Sequence, residues 1–289
     1  MTRARKIEYA SVVAYPFFPD GSSGQTMTFE NITFSIDANV ARLRLNRPSS
    51  LNALSRPLLG EFREAIDLVA ASPEARVLVL SSAGKAFSSG ADLTPGASPV
   101  GSPGFDAGAV LEQYYNPIME RLFSLPVPIV SAVRGAAAGA GCMLALAADV
   151  VVASRTAFFV QAFVNVGLVP DAGSSWWLPR LVGAGRASAM MLLGDRISAE
   201  QASSWGMIYE LVEDETREAR VDAIAAKFAA GPTIAYGLVR QAIRRGLTMQ
   251  LGEALELERQ NQRMAGNTRD FGEGVAAFRD KRKPVFTGQ

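Results

Sequence analysis

Two stretches of the chain decide its fold: VLVLSSAGKAFSSGADL, residues 77–93, and IVSAVRGAAAGAGCMLALAA, residues 129–148. Each opens on a continuous apolar run, which is typical of a strand buried on both faces of a parallel sheet. Each run leads into a turn rich in glycine and other small residues, and the second turn leads into an apolar helix. The repeated strand–turn–helix pattern predicts an α/β protein.

The sequence before these stretches extends the alternation of strands and helices. Residues 29–36 and 38–45 alternate apolar and polar side chains, which predicts an antiparallel hairpin. Ser55 is a candidate N-cap for the helix that follows, because apolar residues then recur at helical spacing from residue 58 to residue 69. A strand pair and a helix are therefore expected before the first apolar strand.

The sequence after the first stretch is more helical. Residues 94–108 are rich in Gly, Pro and Ser, and we interpret them as an active-site flap. Helical spacing over residues 110–125 contains Pro117, which predicts a kink or two short helices. Beyond Ser198 the strand pattern disappears and only helices are predicted. We therefore expect a loosely ordered leader, an α/β core and a helical C-terminal region: residues 1–26, 27–197 and 198–289.

Composition excludes several classes of function. The 289 residues are 48% hydrophobic and 20% charged, which is typical of a globular protein with a large core. The absence of histidine excludes Ser/His/Asp relays and the common histidine-containing metal sites, so no metal is expected. The single cysteine, Cys142, excludes an internal disulfide and fits a cytoplasmic location. A formal net charge of +1 gives no field that would attract nucleic acid or a membrane surface.

The turns at residues 87–93 and 134–141 are the candidate sites of chemistry. Small residues there would let a ligand approach the main chain, whose N–H groups can hydrogen-bond a developing oxyanion. The same glycines also fit a purely structural role, in which they let a helix pack closely on the sheet. Spacing alone leaves both interpretations open.

The turns, together with several short motifs, resemble the crotonase superfamily of enoyl-CoA hydratases and isomerases. The resemblance runs from about Met27 to Gln289. It implies a crotonase-like ββα superhelix, a C-terminal helical region that forms a homotrimer or a dimer of trimers, and an acyl-CoA substrate without a separate cofactor. The motifs are Asn46-Arg47-Pro48, Leu51-Asn52-Ala53-Leu54, FSSGADL at residues 87–93, residues 135–142, and Gly167-Leu168-Val169-Pro170-Asp171.

The resemblance also assigns the substrate contacts. The backbone N–H groups of Ser89 and Ala140 would form the oxyanion hole. Phe278 and Lys281 match positions that reach the CoA of a neighbouring subunit, although surface packing explains them equally well. Tyr114 and Tyr115 fit either an acyl pocket or ordinary helix packing. The full set of predicted substrate contacts is Ser89, Gly90, Ala91, Asp92, Leu93, Ala140, Phe278 and Lys281.

Asp171 is the predicted catalytic base. Hydratases of the family carry two glutamates, and the matching positions here are Met143 and Phe163, which cannot transfer a proton. Asp171 lies just past the second of these positions. Taken alone, an aspartate between Pro170 and Gly173 is ordinary turn chemistry. The resemblance instead implies that it faces the same pocket as the missing glutamates.

A lone carboxylate can remove a proton from one carbon and return it to another, which is what an isomerase requires. The resemblance implies an acyl-CoA isomerase that acts through an oxyanion-stabilised enolate, on a ring-epoxide phenylacetyl-CoA or a 3-enoyl-CoA. Two alternatives stay open. One is an enoyl-CoA hydratase that uses an unrecognised group, and the other is an acyl-CoA-binding protein without catalysis.

Overall fold

The computed structural model describes residues 29–94 and 104–289, and within these ranges the strands form two sheets. The predicted leader and most of the predicted flap lie outside the described residues. The strands are β1 (Ile32–Asp37), β2 (Val40–Leu45), β3 (Val77–Ser82), β4 (Ile129–Val133), β5 (Ala136–Ala138), β6 (Val150–Ser154), β7 (Phe158–Val160), β8 (Arg196–Ser198) and β9 (Glu210–Val212).

The α-helices surround these sheets and fill the C-terminal third of the chain. They are α1 (Arg56–Ala71), α2 (Ala107–Val110), α3 (Asn116–Ser124), α4 (Ala140–Leu146), α5 (Ser174–Val182), α6 (Ala184–Leu193), α7 (Ala199–Ser204), α8 (Arg217–Ala229), α9 (Thr233–Gly246), α10 (Leu251–Gly266) and α11 (Arg269–Arg279).

The larger sheet has the strand order β1-β2-β3-β4-β6-β9. The predicted hairpin is confirmed, since β1 pairs antiparallel with β2, and the remaining neighbours in this sheet are parallel. A smaller sheet of order β5-β7-β8 lies next to the second glycine-rich turn, because β5 is part of that turn. The opening strands of residues 77–93 and 129–148, β3 and β4, thus lie in the middle of the larger sheet.

Strand β3 shows why its apolar run is continuous. Leu78 and Leu80 point into the main core beneath α1, while Val77 and Val79 point into a second core that α8 covers. All four side chains are at most 3% exposed. Burial of a side chain of this size stabilises the fold by roughly 1.5–3 kcal/mol, so both faces of the strand must be apolar.

The helix signals are also confirmed. The Ser55 hydroxyl accepts a hydrogen bond from the backbone N–H of Leu58 and caps α1. Helix α2 continues into α3 through a π-helical segment, Leu111–Tyr115, so the interruption predicted near Pro117 is a change of helix type. Pro117 lies in the first turn of α3, directly after the π-helical segment, and it cannot donate a helical hydrogen bond to the preceding turn.

The expectation of a purely helical region beyond Ser198 is wrong. Strand β9 pairs in parallel with β6 and forms an edge of the larger sheet. It has three half-buried residues, too few to show an alternating pattern in the sequence. Residues of the C-terminal third therefore complete the core sheet.

Helix α9 is tied to the core by two buried arginines, Arg240 and Arg244. Both guanidinium groups form ion pairs with Asp149, which also accepts a hydrogen bond from the backbone N–H of Ile129. They donate further hydrogen bonds to the carbonyl groups of Leu122, Phe123, Leu125 and Ala147, at the ends of α3 and α4. Burial lowers the pKa of Arg244 to about 10, which leaves the group charged at neutral pH.

Exposed apolar side chains are concentrated on α9, α10 and α11, where Ile243, Leu251 and Phe278 are 63%, 74% and 86% exposed. Surfaces of this kind are common where subunits meet. The predicted trimer or dimer of trimers remains a prediction. In the part of the chain that the structure describes, no helix combines the length and apolarity needed to cross a bilayer.

Asp149→Ala is expected to lower the free energy of unfolding by about 3 kcal/mol, because it leaves two buried arginines without a counter-charge. Urea unfolding at fixed protein concentration measures the loss. Asp67→Ala is the matched control, since Asp67 pairs with Arg121 at the surface and its removal should cost less than about 1 kcal/mol. Equal losses in the two variants would contradict the assignment.

Candidate active site

The two glycine-rich turns lie side by side in the structure. The N–H of Phe87 donates to the carbonyl of Arg134 at 2.8 Å, and the N–H of Ala138 donates to the carbonyl of Ser88 at 2.9 Å. Gly135 makes this contact possible: its φ is +55°, and a Cβ there would lie 1.9 Å from the carbonyl oxygen of Lys85. The close approach at Gly135 is between the two turns rather than between a helix and the sheet, and it brings both candidate oxyanion turns into one place.

A buried asparagine, Asn52, connects a third loop to these turns. Its amide nitrogen donates to the carbonyl groups of Ala83 and Ala86, both at 2.8 Å, and its side-chain oxygen accepts from the N–H of Arg47. The Ser88 hydroxyl donates to the carbonyl of Asn52 at 2.8 Å. In the sequence Asn52 stands out only as part of a motif, because nothing in its local pattern indicates these contacts.

The oxyanion assignment needs one correction. The N–H of Ser89 donates to the carbonyl of Leu51 at 2.9 Å, so it is not available to a substrate. Among the described residues, the N–H groups of Ala140 and Ala91 have no hydrogen-bond acceptor. Ala140 is the first residue of α4, where the helix itself supplies no acceptor. In the first turn, Ala91 therefore replaces Ser89 as the candidate oxyanion donor.

Asp171 lies in the loop before α5. Its carbonyl accepts hydrogen bonds from the N–H of Ser174 at 2.9 Å and from the Ser174 hydroxyl at 2.7 Å, which hold the backbone in place. The side chain, in contrast, is not held by hydrogen bonds at Oδ1, which is buried and has no partner among the described residues. Burial raises the pKa of the carboxyl from 3.8 to about 6. The group is thus mostly ionised at neutral pH and more basic than an ordinary aspartate.

Asp171 lines a cavity of about 440 Å³. The predicted contacts Ala91, Asp92 and Leu93 line the same cavity, and so does Tyr115. Most of the other lining side chains are apolar, which suits the hydrocarbon part of an acyl group. The complete lining is Leu54, Ser55, Arg56, Leu59, Ala91, Asp92, Leu93, Phe105, Ala107, Val110, Leu111, Tyr115, Val166, Leu168 and Asp171.

The two carboxylates of the cavity have different environments. Asp92 accepts hydrogen bonds from the Thr94 hydroxyl at 2.6 Å and from the Arg47 guanidinium at 2.9 Å. The Thr94 hydrogen bond, together with Arg47, holds the pKa of Asp92 below its usual value. Asp92 is therefore a fixed anion, whereas Asp171 is free to exchange a proton near neutral pH.

The positions that match the hydratase glutamates cannot take part in proton transfer. Met143 is fully buried, and its sulfur accepts a hydrogen bond from Gln161 at 3.6 Å. Phe163 packs beside Gly139, since a Cβ on that glycine would lie 3.5 Å from the ring. Both side chains thus lie near the Ala140 turn, but neither carries an ionisable group.

The remaining predicted contacts lie elsewhere on the chain. Gly90 lies against the second turn, where a Cβ would be 2.9 Å from the carbonyl oxygen of Ala138. Phe278 lines a separate apolar cavity between α9, α10 and α11, and Lys281 follows α11 at the surface. The structure does not bring Phe278 or Lys281 to Asp171 within one chain, and their contact with a neighbouring subunit's CoA remains a prediction.

Comparison with known proteins gives consistent matches along the chain. A family model described as enoyl-CoA hydratase/isomerase matches residues 35–289. The chain is 44% identical over 261 residues to the 1,2-epoxyphenylacetyl-CoA isomerase of Escherichia coli strain K12, which covers 90% of this chain and 99% of that relative. It is also 44% identical over 263 residues to a protein of Rhodobacter capsulatus named as a probable enoyl-CoA hydratase, with 91% and 100% coverage.

One of the similar solved structures is an enoyl-CoA hydratase from Bacillus anthracis. It has a TM-score of 0.83 to this chain at 33% sequence identity, and the match covers 90% of this chain and 100% of that one. The likeness therefore includes both sheets and the C-terminal helices.

Asp171→Asn is expected to stabilise the fold at pH 7. Because the pKa of Asp171 is raised from 3.8 to about 6, its ionised form is disfavoured in the folded state. This penalty is present above about pH 6 and disappears below about pH 4, where the group is protonated in both states. Urea unfolding should show a gain of about 1–2 kcal/mol at pH 7 and almost none at about pH 3. Equal stability of the two proteins at both pH values would contradict the buried carboxylate.

Proposed function

The chain belongs to the enoyl-CoA hydratase/isomerase family, and we propose that it is an acyl-CoA isomerase in which Asp171 is the only proton carrier. The matches above confirm the crotonase-like α/β fold. One observation carries the proposal. Asp171 lines an apolar cavity with a carboxylate of raised pKa whose Oδ1 has no partner in the described part of the chain, while the two glutamate positions hold Met143 and Phe163.

In the proposed reaction, ionised Asp171 removes a proton from a carbon of the acyl group. The electron pair left on carbon is delocalised onto the thioester oxygen, which becomes an enolate. Protonated Asp171 then returns the same proton to another carbon, so that the double bond moves and Asp171 is ionised again. No cofactor is needed, because CoA enters as part of the substrate.

The enolate oxygen needs hydrogen-bond donors fixed in advance. We propose the N–H groups of Ala140 and Ala91 for this role, since neither has an acceptor within the described ranges and both belong to the two turns that lie in contact. Ser89 is omitted because its N–H is already bonded to Leu51. A single donor of this kind lowers a reaction barrier by roughly 3–4 kcal/mol.

The size and lining of the cavity favour an acyl group that is apolar and compact. Its volume of about 440 Å³ and its leucine, valine and aromatic walls fit a six-membered ring or a short 3-enoyl chain. The similarity to the E. coli 1,2-epoxyphenylacetyl-CoA isomerase supports a ring-epoxide phenylacetyl-CoA as the substrate. A 3-enoyl-CoA is the second proposed substrate.

Hydration is the competing activity, and the R. capsulatus relative named as a probable hydratase is equally similar. Hydration must activate a water molecule as well as deliver a proton, and the chemistry of Met143 and Phe163 serves neither step. A protein that only binds acyl-CoA would gain nothing from a carboxylate that is buried without a partner, because such a group destabilises the fold.

Asp171→Asn is expected to lower kcat/KM for isomerisation of 3-enoyl-CoA by at least about a hundredfold, because it removes the base. Formation of the conjugated 2-enoyl-CoA is followed by its absorbance. Asp67→Asn, at an exposed ion pair far along α1, is the control and should retain wild-type activity. In the wild type, kcat/KM should rise through one ionisation near pH 6 and then stay level to pH 8.

The same assay separates the alternatives. Addition of water to 2-enoyl-CoA at a rate comparable with isomerisation would favour a hydratase. A second ionisation near neutral pH that lowers kcat/KM would indicate another essential proton carrier. Full activity of a folded Asp171→Asn protein would remove Asp171 from the mechanism.

Ala140→Pro is expected to lower kcat by about 10²–10³-fold, the usual effect of losing one oxyanion donor. Proline is tolerated in the first turn of a helix, so α4 should form without this N–H. Ala140→Gly keeps the N–H and should change kcat by less than tenfold. Thermal unfolding checks that both variants are folded, and similar kcat values in the two would show that this amide is not a donor.

A further inference from the structure

Tyr115 is a polar side chain of the cavity that the proposed proton transfer does not use. It is the last residue of the π-helical segment Leu111–Tyr115, in which the N–H of Asn116 donates to the carbonyl of Leu111. A π-helical turn inserts one residue into an α-helix, and such turns occur frequently at functional sites. Here the segment lies in the cavity wall, since Val110, Leu111 and Tyr115 all line it.

The phenol group of Tyr115 is placed for a ligand rather than for the fold. The residue is only 5% exposed, and its hydroxyl has no hydrogen-bond partner among residues 29–94 and 104–289. The oxygen is not one of the buried unpartnered atoms of these ranges, so the phenol that lines the cavity is available to a ligand there. The neighbouring Tyr114 does not line the cavity, and its ring instead contacts the Arg56 guanidinium.

Two carboxylates determine what this hydroxyl can bind. Burial and the negative charges of Asp171 and Asp92 raise the pKa of Tyr115, so the phenol stays protonated and acts as a donor. The same charges repel an anionic acceptor at this place. The acceptor that fits is a neutral oxygen, as in an ether, an epoxide or a hydroxyl group.

We propose that Tyr115 is a specificity-determining residue that donates a hydrogen bond to a neutral oxygen atom carried by the acyl group. This inference rests on the proposed function, because it concerns the substrate of the same cavity. It selects oxygen-bearing acyl groups over plain hydrocarbon chains, since only the former satisfy the phenol. The hydroxyl does not bond Asp171 in this structure, so it acts on the ligand and does not position the base.

The kinetic test measures kcat/KM of the wild type and of Tyr115→Phe on two substrates. The substitution keeps the aromatic ring and removes the hydroxyl donor. For the ring 1,2-epoxide of phenylacetyl-CoA, kcat/KM should fall about tenfold or more beyond any fall measured with 3-enoyl-CoA. Tyr114→Phe is the matched control and should leave the ratio of the two kcat/KM values as in the wild type. Equal falls with both substrates, or none, would overturn the proposal.

A binding test does not depend on catalysis. Calorimetry with 2-hydroxyphenylacetyl-CoA and phenylacetyl-CoA gives the ratio of their Kd values. The wild type should bind the hydroxylated ligand about five- to twentyfold more tightly, and Tyr115→Phe should abolish most of this difference. An unchanged ratio in Tyr115→Phe would overturn the role of Tyr115. Absence of isomerisation by the wild type, with the ratio still dependent on Tyr115, would instead reject the proposed reaction alone.

Discussion

The candidate active site depends on the close approach of two backbone segments, residues 85–90 and 134–141. Three hydrogen bonds join them, and at Gly135 the carbonyl of Lys85 occupies the space that any side chain would need. Gly141 also has no room for a side chain, since a Cβ on this residue would lie 2.6 Å from the Cβ of Ser88. These bonds hold the two segments together, and with them Ala140 and Ala91, which directly follows the first segment.

The cavity beside this unit contains polar groups that do little for stability. Among the described residues, Asp171 has a buried oxygen without a partner, and the Tyr115 hydroxyl at the cavity wall bonds no other residue. Asp92, in contrast, is bonded to Thr94 and Arg47. A fold selected for stability alone would pair or replace the first two groups. Their combination with a satisfied neighbour in the same cavity is typical of a site kept for its chemistry.

The sequence predicted those parts of the molecule whose signal is local and repeated. The run Val77–Leu80, the Ser55 cap and the hairpin of β1 and β2 are all confirmed, because burial on two faces, capping and alternation each leave a pattern. Two elements leave no such pattern in the sequence. Strand β9 has only three residues, and the π-helical segment differs from an α-helix by a single inserted residue. The prediction that Ser89 is an oxyanion donor is wrong for another reason. A motif identifies the loop, but only the folded backbone shows which N–H is already hydrogen-bonded.

The two arginines of α9 connect this helix to the wall of the cavity. Arg240 and Arg244 hold the C-terminal carbonyl groups of α3, and α3 continues directly from the segment that carries Tyr115. Helix α9 is thus connected to the cavity wall through α3, in addition to its connection to strand β4 through Asp149. A contact that moves α9 therefore acts on the same carbonyl groups that end the helix of the cavity wall.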